Sequence, residues 1–259
     1  MKIATWNVNS LNVRFDHVIK FLSDDSIDIL LLQEIKMNKD KFPFDELNKI
    51  GFNSICHGQK SYNGVAIISK HKIKNSNFNI YDEYDQIYND DQARFIEAEI
   101  NGLKVCSIYV PNGNPYPSEK YDYKITWLKK FVEYATKMYK KEIPYLIGGD
   151  FNIIPNEVDC YNIKEWENDA LWKLEVRSLF YKLINVGYKD LYRSFNYDKN
   201  EYTFWDYQRG SWEKNNGIRI DHFLLTPELL DRVDKVYVEK KTRGWNRPSD
   251  HVPLVFECN

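Results

Sequence analysis

The chain has 259 residues, with 36 Lys and Arg against 38 Asp and Glu, so its formal net charge is −2. With 43% hydrophobic and 29% charged residues, a chain of this length can bury about three-quarters of the surface it exposes when unfolded, which excludes disordered and collagen-like proteins. No run reaches the ~18–20 continuous apolar residues of a membrane span. The start, Met1-Lys2-Ile3-Ala4-Thr5-Trp6-Asn7, has no apolar core followed by a small-residue cleavage site, so a cytoplasmic protein is expected; a mature organellar chain would read the same way. Near-neutral charge confines any nucleic-acid binding to a local patch. Cys56, Cys106, Cys160 and Cys258 show no C-x-x-C spacing, which speaks for small buried thiols in a reducing compartment rather than a zinc site.

In chain order, the first predicted strand is Lys2 to Trp6. A helix follows, with Phe15, Val18, Ile19 and Leu22 on one face at i, i+3, i+4, i+7. The run Ile27 to Leu32 reads as a buried strand ending in Gln33-Glu34, and Gly64 to Ser69 as another. Phe95 to Ile100, the turn Asn101-Gly102 and Lys104 to Tyr109 give a hairpin signal. Ile125, Leu128, Val132 and Ala135 recur with helical spacing; the strand Tyr145 to Ile147 then runs into Gly148-Gly149-Asp150-Phe151-Asn152. Leu179, Phe180, Leu183 and Ile184 mark a further helix, and Arg219 to Leu225 and Val252 to Phe256 two last strands. No linker or low-complexity tract interrupts this alternation, so residues 1–259 read as one domain. Its two halves share one grammar, in which an apolar strand delivers a carboxylate at its end: Glu34 in the first, Asp150 in the second. Mixed strands, hairpins and helices predict an α/β fold, two mixed sheets packed face to face with helices outside.

The chemistry concentrates at strand ends. In extended backbone Asp150 and Asn152 project to one side and Phe151 to the other, while Gly148 and Gly149 clear space beside them. Alone, G-D-x-N reads more readily as a turn in which Asp and Asn satisfy the backbone. It keeps company with Asn7 and Asn9, Glu34, Arg219-Ile220-Asp221-His222 and Ser249-Asp250-His251. Hard oxygen donors without paired cysteines suit Mg²⁺ or Mn²⁺.

These motifs, with His57-Gly58-Gln59-Lys60-Ser61-Tyr62-Asn63-Gly64-Val65-Ala66, Tyr109-Val110-Pro111-Asn112-Gly113 and Ser118-Glu119-Lys120-Tyr121, occur in the order of the exonuclease III family of apurinic/apyrimidinic (AP) endonucleases. The chain resembles the bacterial branch of that family, within the endonuclease/exonuclease/phosphatase superfamily, from its first strand to its last. The resemblance implies a DNase I-like four-layer α/β sandwich that hydrolyses DNA 5′ of abasic sites and trims 3′ ends. It implies that Glu34 and Asn7 hold a divalent metal. Asp150 would activate the attacking water with Asn152 directing it, and His251, oriented by Asp221, would face a phosphate oxygen. Tyr109 would offer a phenol to the phosphate, and Asp250 would complete the carboxylate ring or a second metal position. In some states Asp150, Asn152, Asp250 and His251 would also coordinate metal.

The expected partner is duplex DNA with abasic sites or blocked 3′ ends, met by a nucleoid-associated monomer without an obligate protein partner. Arg94, Asn112, Lys120 and Lys124 are candidate phosphate contacts, near the motifs in loops or at a helix start. The acidic run from Asp82 to Asp91 is expected away from the duplex. By the resemblance Phe204, with Trp205 beside it, lines a small apolar pocket for an extrahelical abasic sugar; Ile218 and Ile220 are candidate walls, with core the equal alternative. Trp212, in the basic loop Arg209 to Lys214, is a candidate groove contact. The competing readings are an end-processing nuclease that leaves internal abasic sites alone, a relative acting on RNA or a small phosphate ester, and an inactive nucleic-acid-binding module; the last requires a lost catalytic residue, and none is missing.

Overall fold

The apolar runs become the inner strands of two sheets in a computed structural model that describes residues 1–81 and 90–259. In chain order the strands are β1 (Lys2–Asn7), β2 (Ile29–Gln33), β3 (Asn53–His57), β4 (Val65–Ser69), β5 (Ile73–Asn77), β6 (Phe95–Ile100), β7 (Leu103–Tyr109), β8 (Tyr145–Asp150), β9 (Lys189–Asp190), β10 (Asp221–Leu225), β11 (Val233–Val238) and β12 (Leu254–Cys258). The helices are α1 (Leu11–Asp24), α2 (Phe44–Lys49), α3 (Glu119–Tyr139), α4 (Leu174–Val186), α5 (Leu191–Phe195) and α6 (Pro227–Leu230). One six-stranded sheet runs β11-β12-β1-β2-β4-β3 and the other β5-β6-β7-β8-β10-β9. Each is mixed: β1 and β2 are parallel in the first, β7 and β8 in the second, and their other pairings are antiparallel.

Alternation decides which face each strand buries. Ile3, Ile29, Leu31 and Ile67 meet Ala98, Val105, Leu146 and Phe223 between the sheets, at about 1.5–3 kcal/mol for each large side chain removed from water. On the outer faces, Ala4, Leu30 and Leu32 pack under α1, while Cys106, Tyr145 and Ile147 pack under α3 and α4. The expected four layers are the observed ones. Gly148 lets the sheets close up, because a Cβ there would lie 2.6 Å from Leu31 Cδ1 of the opposite sheet. Gln33 and Ser107, both fully buried, bond across the gap at 2.9 Å and satisfy polar groups that would otherwise be stranded.

Of the strand boundaries that differ from the sequence reading, two have a side-chain cause. Arg219 and Ile220 precede β10, because Arg219 turns into a buried cluster with Asp159 and Asp190. Val252 and Pro253 precede β12, proline having no N–H to give a ladder. Helix α3 begins after Ser118, whose hydroxyl accepts the Tyr121 N–H, as an N-cap does.

Candidate active site

The parallel pairs set the site. In register, Asn7 stands beside Gln33, Tyr109 beside Asp150, and Asp150 opposite Asp221, so the carboxyl ends of β1, β2, β7 and β8 and the start of β10 converge at one end of the sandwich. Just past β2 and β8 the backbone turns left-handed at Glu34 (φ 51°) and Asn152 (φ 49°). For residues other than glycine this is an uncommon conformation, concentrated at functional sites. It turns each side chain inward over the strand ends, the shared grammar of the two halves made physical.

Asn7 joins the halves. Its Nδ2 donates to Glu34 Oε1 at 2.8 Å and to Asp150 Oδ2 at 2.9 Å, while its Oδ1 accepts the Asn9 N–H at 3.0 Å. All three bonds agree on one amide orientation: Asn7 is the donor that spaces two carboxylates, with its nitrogen rather than its oxygen toward them. Lys36, two residues beyond Glu34, pairs with Glu34 Oε2 at 2.7 Å and donates to Asn9 Oδ1 at 2.6 Å. Burial works to raise the Glu34 carboxyl, but Lys36 and Asn7 hold it below its ordinary value. Asp150, 1% exposed, has less compensation: burial, with Asp221 and Glu34 nearby, raises its carboxyl against the opposing pull of His251. The Asn152 N–H fixes Asp150 Oδ1 at 2.8 Å, and the Asn152 amide bridges Asn112 and the Val110 carbonyl.

His251 lies across from Asp150, its Nδ1 2.8 Å from Asp221 and its Nε2 3.8 Å from Asp150. Burial disfavours a charged ring, yet Asp221, Asp150 and Asp250 together push it up to about 10. Asp221 Oδ1 has no hydrogen-bond partner among the described residues, which leaves that carboxylate's charge to His251. As an imidazolium the ring is a hydrogen-bond donor, and only the neutral ring has a lone pair for a metal. Tyr109 is held as a neutral phenol well above its usual range by burial, then by Glu34 and Asp150.

Glu34, Asp150 and His251 each present a ligand atom within 4.8 Å of the others. Carboxylate oxygens with no thiolate fit a hard divalent cation, which Glu34 and Asp150 could hold. Asp250 stands to one side, its Oδ1 bound by Asn9 Nδ2 at 3.1 Å. Arg14, which the sequence reading passed over, steadies that side by donating to the Arg247 and Pro248 carbonyls and to the Tyr207 hydroxyl.

Glu34, Tyr109, Asp150, Asn152, Asp250 and His251 line a cavity of about 310 Å³, walled also by Trp166, Leu171, Phe204 and Ile220. The Phe204 ring stands edge-on to His251 at 5.0 Å; past it opens a chamber of about 480 Å³ bordered by Ile218, Tyr161 and Arg209. On the other side of Tyr109, a cleft of about 870 Å³ is lined by Arg94, Asn112 and Lys120. Arg94 stacks on Tyr109 and Tyr123 and donates to the Tyr109 carbonyl. Asp90 and Asp91 border this same cleft rather than lying away from it; residues 82–89 lie outside the described residues.

Two expectations fail on burial. Lys124 is fully buried, its ammonium bonded to the Asn112 and Asn152 carbonyls, so it cannot reach a phosphate; burial pulls it down to about 7. Trp205 is also fully buried, its Nε1 donating to Asn215 and its ring against Trp212. Half-buried Trp212 packs on Trp205 and beneath Arg243 and is spoken for as core. Trp166 and Leu171, absent from the sequence reading, sit in an irregular polar loop whose only signal was aromatic residues without periodicity.

Residues 4–251 match the Endonuclease/Exonuclease/phosphatase family. The chain is 30% identical to exodeoxyribonuclease III of Haemophilus influenzae, with 99% of each covered. Among solved structures it is similar to the 3′ phosphatase NExo from Neisseria bound to a product DNA hairpin, at 36% identity and a TM-score of 0.96, covering 100% of this chain and 99% of that one. It is similar also to an AP endonuclease from Archaeoglobus fulgidus, at 35% identity and a TM-score of 0.94, with the same coverage. With these likenesses spanning the strands that assemble Glu34, Asp150 and His251, the chain belongs to the endonuclease/exonuclease/phosphatase family, in its exonuclease III-type group of AP endonucleases.

Proposed function

We propose that this chain is a DNA repair phosphodiesterase, dependent on Mg²⁺ or Mn²⁺ and active as a monomer, that cuts duplex DNA 5′ of abasic sites and clears blocking groups or nucleotides from 3′ ends. The observation that carries the reading is the meeting of Glu34, Asp150 and the Asp221-His251 pair around one cavity. When bound, the metal supplies positive charge against the scissile phosphate and its leaving oxygen. Asp150, with its carboxyl raised, takes a proton from the attacking water, a general base tuned toward the operating pH. Asn152 keeps Oδ1 of that carboxylate occupied and so directs Oδ2. Cationic His251 donates to a phosphate oxygen as charge develops, and Tyr109, protonated throughout, donates a second bond. Phe204 and Ile220 present an apolar wall to the sugar 3′ of the cut and keep bulk water from it. Arg94, Asn112 and Lys120 receive neighbouring phosphates.

The test is a duplex with one internal abasic-site analogue beside a nicked duplex ending in a 3′ phosphate, each with Mg²⁺ or EDTA. Metal-dependent cleavage of both, lost in Asp150→Asn, is the expected result; cleavage of neither overturns the reading. A second reading, 3′-end processing without internal incision, is favoured by the likeness to the Neisseria 3′ phosphatase and corresponds to cleavage of the nicked duplex alone.

A further inference from the structure

Lysine is seldom fully buried unless its ammonium is paired, and Lys124, on the inner face of α3, is 0% exposed. Among the described residues it forms no salt bridge. Its hydrogen bonds go to two backbone carbonyls on different loops: Asn112 at 3.0 Å, after β7, and Asn152 at 2.6 Å, after β8. The side chain reaches them by passing directly under Gly113. A Cβ on that glycine would lie 2.6 Å from Lys124 Cδ, and its φ of 86° favours glycine. The two loops meet again above the ammonium, where Asn112 Nδ2 bonds Asn152 Oδ1 at 3.1 Å. Asn152 in turn holds Asp150.

We infer that Lys124 is a positioning residue: it pins the loop that carries Asn112 to the loop that carries Asp150 and Asn152, and so fixes the carboxylate's aim without touching substrate. This rests on the reading of Asp150 as the base. A donor shared by two carbonyls, that of Asn152 buried, resists displacement, since freeing them strands polar groups away from water. A rigid supporting contact of this kind is what holds a reacting group within a fraction of an ångström of its productive place.

The experiment compares Lys124→Met, Lys124→Arg and Gly113→Ala with the unaltered chain, reading steady-state kinetics on the nicked 3′-phosphate duplex, DNA affinity against salt, and hydrogen exchange. Lys124→Met keeps the length and loses the donors; kcat is expected to fall at least tenfold with KM within about twofold. The salt slope of DNA affinity should stay unchanged, whereas loss of a phosphate contact reduces it by about one. Amides 110, 112–114 and 150–154 should lose exchange protection together, a readout that stands even if neither duplex is cut. Lys124→Arg, which retains the donors, should recover part of kcat. Gly113→Ala, which forces the loop off an intact Lys124, should reproduce the kcat loss and the paired exchange, and it answers the question if Lys124→Met does not fold. A reduced salt slope, full kcat in folded Lys124→Met, or exchange confined to one loop overturns the inference. Failure of the unaltered chain to cut would instead count against the proposed activity, while the exchange result would still decide whether the two loops are pinned.

Discussion

The Asp221 carboxylate sits with Oδ2 2.8 Å from His251 Nδ1, and its Oδ1 has no hydrogen-bond partner among the described residues, so its charge acts chiefly on the imidazole. Register places the same Asp221 opposite Asp150 on β8. One buried carboxylate therefore biases both members of the acid–base pair, raising the ring toward charge and the Asp150 carboxyl toward neutrality.

Replacing Asp221 by Asn removes that bias while keeping the shape. The His251 ring, raised to about 10 with Asp221 present, then loses its principal counter-charge against burial and becomes neutral at pH 7. We expect kcat at pH 7–8 to fall by roughly 10²–10⁴-fold, the span of a positioned acid or base, and the deficit to shrink as pH is lowered and the ring is protonated again. A pH profile parallel to that of the unaltered chain would show that His251 does not act as a cation.

Much of this was legible in the sequence, and the omissions have a pattern. The eight inner strands announce themselves because burial on both faces demands continuous apolar runs, such as Ile29 to Leu32. The four unread strands, β3, β5, β9 and β11, are the four sheet edges. Edge strands carry polar residues that block further pairing, and Lys74, Asn75 and Ser76 in β5 leave no apolar signature. In the site, residue type and order pointed to Glu34, Asp150, Asp221 and His251. What sequence could not supply was direction: Lys124 points inward beneath a glycine, and Asn7 turns its nitrogen rather than its oxygen to the carboxylates.

Phe204 separates the two proposed activities. Its ring touches His251 and walls the cavity where an abasic sugar would lie, whereas a terminal 3′ phosphate leaves that space unfilled. Phe204→Ala should lower incision at the internal abasic analogue at least tenfold more than it lowers release of 3′ phosphate, read as the ratio of the two kcat/KM values. An equal loss on both substrates would mean that the ring only supports His251.

A second buried histidine governs acid stability. His222 Nδ1 accepts from Arg219 at 2.8 Å and its Nε2–H donates to the Ile153 carbonyl at 3.1 Å, so the neutral ring is the one that fits. Burial first, then Arg219, lowers it to about 4 from 6.5. Because the folded value lies below the unfolded one, this stabilisation is complete above pH 6.5 and is lost as pH falls toward 4, about 3 kcal/mol in all. Denaturant titrations between pH 7 and 4 should show that decline, and His222→Gln, starting less stable, should show a flatter one. Equal slopes would assign the acid sensitivity elsewhere.

Asn7→Asp tests the site's electrostatics without DNA. In place of an amide that donates at 2.8 and 2.9 Å to Glu34 and Asp150, the variant sets a third carboxylate against two that are largely buried. Like charges about 4 Å apart repel by about 4 kcal/mol at an effective dielectric of 20, and at ~2–4 °C per kcal/mol for a chain of this size the metal-free Tm should fall by on the order of 10 °C. A divalent cation reverses the sign of that argument, since a third anion then faces positive charge. Binding stabilises by RT ln(1 + [Mg²⁺]/Kd), about 2.7 kcal/mol at 100 Kd, so at one fixed Mg²⁺ concentration the tighter-binding Asn7→Asp should show a larger rise in Tm than the unaltered chain and recover most of the loss. Calorimetry in EDTA and in Mg²⁺ measures both terms. A metal-free Tm that is nearly unchanged in Asn7→Asp would mean that the side chain does not bridge the two carboxylates, and the role assigned to its Nδ2 would be wrong.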